Sequence, residues 1–150
     1  MRQFFLLCLS LSWGLLSGQG RLDGLWEGEL TYGGLASAQS YRFQIWIEEK
    51  GGYITGRSYV YLNEDEVIEM EINGRTFRDW SISIYDSQLV SAAGLEVQPP
   101  FYRKYQLQYK RGIYETALEG YWQEIKEAMP LDARRAVGRL RLERVKMMKP

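Results

Sequence analysis

The sequence contains no histidine and a single cysteine, Cys8. Without histidine there is no imidazole general base, no Ser-His-Asp or Cys-His catalytic arrangement, and no ordinary zinc or copper site. One cysteine cannot form a disulfide within the chain. These absences remove the commonest hydrolase and transition-metal chemistries. We therefore expect a protein that is not an enzyme and that uses no cofactor.

An excess of charge of either sign is also missing, since 19 Lys and Arg residues balance 19 Asp and Glu residues. Residues 1–20 contain only Arg2 among these, which leaves 18 − 19 = −1 for residues 21–150. Net charge therefore gives no indication of nucleic acid or of an anionic membrane surface as a partner.

The first twenty residues have the composition of an export signal. Arg2 precedes an apolar run from Phe4 to Leu16, and small and polar residues follow up to Gly20. The run is shorter than the ~20 apolar residues that span a bilayer, so a cleaved signal peptide is favoured over a retained anchor. We expect cleavage near residues 18–20, an exported (periplasmic or secreted) protein with no stable membrane span, and one domain over residues 21–150.

Apolar side chains alternate with polar ones from Leu22 onward, and this period of two indicates β-strands. Eight such segments follow one another, and the four prolines, at 99, 100, 130 and 150, fall outside them. The pattern predicts an all-β fold, an eight-stranded antiparallel up-and-down barrel, because closure covers the apolar faces and removes exposed edges. A two-sheet β-sandwich is the alternative. We expect the Asn73-Gly74 pair to form the turn between the fourth and fifth strands, with a bulge near residues 78–79.

The predicted loops differ in length between the two ends of such a barrel. Long links at 33–40, 91–103 and 126–136, with a short one at 63–66, share one end, which we call the long-loop end. Tight links at 49–52, 73–74 and 110–114 share the other, the tight-turn end. Because sites are usually built from long loops on a rigid scaffold, we expect function at the long-loop end.

The first predicted strand opens with Gly24-Leu25-Trp26, which resembles the Gly-x-Trp start of lipocalins and related calycins. It resembles avidin-like barrels slightly less closely. The resemblance implies a calycin-like barrel in which Trp26 packs across the closed end beneath a basic residue of the last strand, either Arg141 or Arg144. It also implies a ligand mouth at the opposite end.

Two sets of mostly aromatic residues are candidate binding surfaces. The inward set suits a small hydrophobic or amphipathic ligand at the barrel mouth, and the competing interpretation is plain barrel filling. The outward set suits a protein or glycan contact, although it could be ordinary cross-strand pairing. The inward residues are Tyr32, Tyr41, Leu62, Tyr105 and Trp122, and the outward residues are Trp46, Arg57, Tyr59 and Tyr61.

Acidic residues give weaker indications of a metal site or a catalytic site. Asn63 and the run Glu64-Asp65-Glu66 could supply oxygen ligands to calcium, but their spacing matches no calcium loop, so we expect a solvated turn and no metal site. A carboxylate pair for glycoside hydrolysis would have to come from glutamates that all read as outward-facing. Those residues are Glu27, Glu29, Glu119 and Glu124. The expected function is non-enzymatic ligand binding at the mouth; the alternative is a cell-envelope or secreted protein-interaction module that uses the outward aromatic face.

Overall fold

A computed structural model describes residues 20–33, 39–94, 102–125 and 135–146. Eight strands, each antiparallel to its neighbours, close into an up-and-down barrel in chain order, with β1 pairing both β2 and β8. The strands are β1 Gly24–Thr31, β2 Ser40–Lys50, β3 Tyr53–Tyr61, β4 Val67–Thr76, β5 Ser81–Ala93, β6 Tyr102–Arg111, β7 Thr116–Ile125 and β8 Val137–Arg144. The predicted barrel is confirmed, and the sandwich alternative is wrong because the β1–β8 ladder closes the sheet.

The apolar side chains that alternate along the strands fill the barrel. Phe43, Ile45 and Ile47 of β2, for example, are fully buried, while Trp46 between them is exposed. Aromatic rings span the interior, and Phe43 lies 5.5 Å from Tyr105 between ring centroids. Within the described residues, no helix is long or apolar enough to cross a membrane.

The predicted turn at Asn73-Gly74 is wrong, because both residues lie inside β4 and pair with Tyr85 and Ile84 of β5. The inward alternation of β4 continues through Gly74, so the ladder has no reason to end there. The turn falls instead at residues 77–80. The predicted bulge at 78–79 is therefore wrong as well. The register of β4 against β5 shifts further along, where Ser87 and Val90 have no opposite residue in the β4 ladder.

The connections group as predicted from the alternation of strand directions. The strand ends that residues 32–39, 62–66, 94–101 and 126–136 connect lie at the long-loop end, and the strand ends that residues 51–52, 77–80 and 112–115 connect lie at the tight-turn end. Trp26 is fully buried at the tight-turn end, where its indole N–H donates to the carbonyl of Leu22 at 2.8 Å. The guanidinium of Arg144 lies 4.6 Å from the Trp26 ring centroid. Arg141, the other candidate, pairs instead with Glu115 and Glu119 on the outer wall.

Candidate functional site

A cluster of buried polar side chains lies where β5 separates from β6 toward the long-loop end. The β5–β6 ladder ends at the pair Tyr85–Lys104. Beyond that pair, the side chain of Asp86 takes the place of a backbone acceptor, and its Oδ2 accepts the backbone N–H of Arg103 at 2.9 Å. The two register shifts of β5 follow immediately, at Ser87 and Val90. Bulges of this kind commonly re-aim side chains beside functional sites.

Asp86 is the centre of this cluster, and only 5% of its surface is exposed. Besides the Arg103 backbone, it accepts the hydroxyls of Ser58, at 3.3 Å, and of Tyr105, at 3.2 and 3.3 Å to its two oxygens. Burial raises the pKa of Asp86 to about 6, although Arg103 and these hydrogen bonds act in the opposite direction. The carboxyl group therefore changes its charge slightly below neutral pH.

Arg103 brings a positive charge into the same interior, with 3% of its surface exposed. Its Nη2 donates to the hydroxyl of Tyr32 at 2.7 Å, and its guanidinium lies 5.4 Å from the ring centroid of Trp122. Burial alone would lower the pKa of Arg103, but Tyr105, Tyr32 and Asp86 outweigh burial and raise it. The guanidinium is therefore charged, and it is a fixed hydrogen-bond donor group at the long-loop end.

Tyr105 contributes a hydroxyl that stays protonated. Burial and the nearby Asp86 carboxylate raise its pKa well above the ordinary value. The hydroxyl therefore remains a donor to Asp86 at any physiological pH.

Glu124 is buried next to Arg103, its cross-strand partner in the β6–β7 register. Its Oε2 accepts the backbone N–H of Ala136 at 3.0 Å, and its own N–H donates to the Ala136 carbonyl at 2.8 Å. The sequence-based assignment of Glu124 as outward-facing is therefore wrong. It lies two residues after Trp122 on the same strand and shares its inward direction.

The inward aromatic candidates surround this cluster in two layers. Tyr105 and Trp122 are buried, and the Trp122 indole donates to the Thr31 carbonyl at 2.8 Å. Tyr32 and Tyr41 are half-buried above them. The centroid of the Tyr32 ring lies 4.7 Å from that of Trp122 and 5.4 Å from that of Tyr41. Leu62 is also half-buried and packs against the core. Ring contacts thus join Tyr32, Tyr41 and Trp122, and Tyr105 lies opposite Trp122 in the β6–β7 register. A role for all five residues in ligand binding stays a prediction.

The outward candidates form a continuous strip on β2 and β3 but engage one another and their neighbours. Trp46 is 36% exposed and lies opposite Arg57, which forms an ion pair with Glu69. Tyr59 and Tyr61 are half-buried, and the Tyr61 hydroxyl donates to Gln44 at 2.7 Å. These contacts are those of cross-strand pairing, and a role for the strip as an interaction surface is untested.

The acidic turn between β3 and β4 is explained by its own hydrogen bonds. Asn63 Oδ1 accepts the backbone N–H groups of Asp65 and Glu66, each at 2.9 Å, and Asn63 Nδ2 donates to the Glu66 carboxylate at 2.8 Å. An asparagine side chain that binds the following backbone in this way is a common turn former. Across the described part of the chain, no group of three or more acidic side chains is placed to hold a metal ion.

The cluster of Asp86 and Arg103 was not predicted from the sequence, although a signal for it was present. Asp86 follows Ile82 and Ile84 at a spacing of two, and Arg103 precedes Tyr105 and Leu107 at the same spacing. A charged residue that continues an inward alternation is expected to be buried only when partners compensate it. Those partners come from other strands and are visible only after folding.

The chain matches no protein-family model, no characterised protein and no solved structure in the comparisons made.

Proposed function

We propose that the protein is a non-enzymatic binding protein that takes a small amphipathic ligand at the long-loop end of the barrel. The observation that carries the proposal is the buried Arg103 guanidinium, which donates to Tyr32 at the base of an aromatic layer. Ligand pockets typically combine apolar walls with a few fixed polar groups that orient the ligand. Arg103 and Tyr32 would be those groups here.

The surrounding side chains would make two kinds of contact with the ligand, apolar contacts that bury its surface and polar contacts that fix its orientation. Tyr41 and Leu62 are half-buried and would contact the apolar part of the ligand. Arg103 and the hydroxyl of Tyr32 would contact its polar end. A calycin-like binding role is consistent with the Trp26–Arg144 packing at the opposite end of the barrel.

Titration with three probes of one chain length tests the proposal: dodecanoate, dodecanol and dodecylamine, followed by backbone amide NMR. We expect saturable binding of at least one probe, with the largest shifts at Tyr32, Arg103 and Trp122. Leu62→Ser should weaken that binding about 10-fold by removing apolar contact. The matched control, Trp46→Ser on the outer strip, should leave it unchanged.

The head group that binds best would identify the polar chemistry of the site, since a guanidinium prefers a carboxylate and Asp86 or Glu124 would prefer an ammonium. The absence of saturable binding for all three probes would contradict the proposal. Shifts centred on Trp46 and Tyr59 would also contradict it and would favour the interaction module instead.

A further inference from the structure

Three hollows on the outer wall of the barrel meet at one exposed side chain, Tyr121 of β7. Their volumes are about 410, 450 and 350 Å³, and Tyr121 lines all three. The residue is 61% exposed. Because the hollows adjoin one another around this ring, they form one open surface along the wall.

The cross-strand register places polar side chains around the ring. Tyr121 lies opposite Gln106 of β6 and Arg139 of β8, and Lys104 of β6 lies opposite Gln123 of β7. All five alternate with buried residues and therefore face outward. We call these five residues the Tyr121 surface. Neighbouring strands lie about 4.8 Å apart, so the surface spans roughly 10 Å from β6 to β8.

Basic side chains elsewhere on the outer wall pair with glutamates of neighbouring strands. Each such pair brings opposite charges together across a ladder, which is the usual arrangement on the exposed face of a sheet. The pairs are Arg42 with Glu27, Arg57 with Glu69, and Lys110 with Glu119.

The two basic residues of the Tyr121 surface depart from this arrangement. Among the described residues, neither Lys104 nor Arg139 forms an ion pair. Both line the hollow of about 410 Å³, and the described residues that line it include no carboxylate. This hollow therefore has positive charge that its own walls do not neutralise.

The glutamates further along the same wall have basic neighbours of their own. Glu119, two residues before the ring, forms ion pairs with Lys110 and Arg141. Glu29 lies opposite Arg42 and Arg141 in the registers of β1 with β2 and β8. The charge on the Tyr121 surface thus favours an anionic group of a ligand.

The two glutamines add neutral hydrogen-bonding groups beside the ring. A glutamine amide offers two N–H donors and a carbonyl acceptor. The side chains of Gln106 and Gln123 form no hydrogen bond with other described residues, so these groups are available to a ligand. The guanidinium of Arg139 lies 5.5 Å from the centroid of the Tyr121 ring. Amides and a cation beside an aromatic ring suit an acidic sugar, since its C–H face packs on the ring and its hydroxyls meet the amides.

The form of the surface favours a chain of sugars over other extended ligands. A peptide that binds by strand addition needs a free sheet edge, and β7 is paired on both sides, with β6 and with β8. Nucleic acid is recognised through many phosphate contacts, and the Tyr121 surface offers two cations. Adjoining open hollows instead suit consecutive units of an oligosaccharide.

We propose that the Tyr121 surface binds an acidic oligosaccharide, with one sugar ring on Tyr121 and the carboxylate of a uronic acid unit held by Arg139 and Lys104. This site lies on the outer wall and is separate from the amphipathic-ligand site at the long-loop end.

Calorimetric titration with matched oligosaccharides tests the proposal. The probes are the tetramers of galacturonate and of mannuronate, each as the free acid and as the full methyl ester, which keeps the sugar chain and removes its charge. The variants are Tyr121→Ser and Arg139→Gln. Their matched controls are Trp46→Ser and Arg57→Gln, which make a comparable loss of an aromatic ring and of a charge on β2 and β3, on the opposite side of the barrel.

We expect at least one acid to bind at a single site about 10-fold or more tightly than its ester, and raised salt to weaken the acid alone. Tyr121→Ser should weaken binding of the acid about 10-fold. Arg139→Gln should bring the affinities of acid and ester close together. Both controls, and Leu62→Ser at the long-loop end, should leave the affinities unchanged.

Failure of both acids to bind saturably, or equal affinities for acid and ester, would overturn the proposal. An equal loss in Arg139→Gln and Arg57→Gln would also overturn it, because binding would then follow net charge alone. Competition by inorganic sulfate at the same concentration as the oligosaccharide would indicate an anion site without sugar contacts. A loss in Leu62→Ser with none in Tyr121→Ser would place the sugar at the long-loop end instead.

Discussion

Replacing Asp86 by asparagine removes a buried group whose charge changes slightly below neutral pH. Its pKa in the folded protein is about 6, against 3.8 for the ordinary carboxyl group. Between these two values the folded state holds a proton that the unfolded state has lost. The stability that this proton provides is therefore present at low pH and disappears as pH rises through about 6.

The magnitude follows from the pKa difference of roughly two units, each worth about 1.4 kcal/mol. A carboxyl group on a residue with 5% of its surface exposed is screened little by solvent. We therefore expect the wild-type free energy of unfolding, taken relative to that of Asp86→Asn, to fall by about 2–3 kcal/mol between pH 4 and pH 8. The substitution also changes the hydrogen bonds to Ser58 and Tyr105. The resulting change in the free energy of unfolding does not vary with pH, so it cancels when the two pH values are compared.

Urea unfolding of both proteins at intervals of pH measures the difference. The matched control is Asp79→Asn, an exposed aspartate whose pKa is lowered by its hydrogen bonds to Ser81. Its contribution has the opposite sign, since it is present at neutral pH and lost on acidification. A wild-type stability that stays constant relative to Asp86→Asn from pH 4 to pH 8 would refute the reasoning, because Asp86 would then titrate as an ordinary carboxyl group.

Three further substitutions test the packing of the barrel by chemical denaturation. Trp26→Ala should lower the free energy of unfolding by about 3–5 kcal/mol because it empties the centre of the tight-turn end, and a near-neutral result would contradict that packing. Gly138→Ala should lower the free energy of unfolding by about 3 kcal/mol or more, because an added Cβ would overlap the Thr31 carbonyl oxygen where β8 meets β1. Unchanged stability would mean that β1 and β8 lie further apart than described. Arg103→Met should cost about 3–5 kcal/mol at pH 8 and less at pH 4, where Asp86 is protonated, and a loss that does not vary with pH would argue against their coupling.

The barrel could be predicted because the alternation of apolar and polar residues that specifies it lies within each strand's own sequence. In β2, the fully buried residues Phe43, Ile45 and Ile47 occupy every second position, so the sequence alone shows the face that must be covered. Antiparallel order and loop position then follow from strand count. Trp26 and its basic partner were indicated by the family resemblance, and the structure selects Arg144 over Arg141.

The turn at Asn73-Gly74 shows where local signals fail. That dipeptide favours a hairpin turn, but Gly74 lies opposite Ile84 inside the barrel, where a Cβ would crowd the Ser83 carbonyl. Glycine is there for the close approach of two strands, which the sequence does not reveal. The register shifts at Ser87 and Val90 likewise depend on the neighbouring strand.

The candidate site was predicted only in its apolar part. Tyr32, Tyr41 and Trp122 could be assigned to the mouth from the alternation and the loop lengths. The pairing of Asp86 with Arg103 could not, because it requires β5 to leave β6 after Tyr85 and depends on hydrogen bonds from other strands.

Paired native and denaturing mass spectrometry of the protein purified from its own host tests ligand binding at the long-loop end most directly. We expect the native mass to exceed the denatured mass by a defined small increment, and Leu62→Ser to reduce the occupied fraction while Trp46→Ser leaves it unchanged. Equal native and denatured masses for the wild-type protein, or an increment that is lost in Trp46→Ser and retained in Leu62→Ser, would contradict the account.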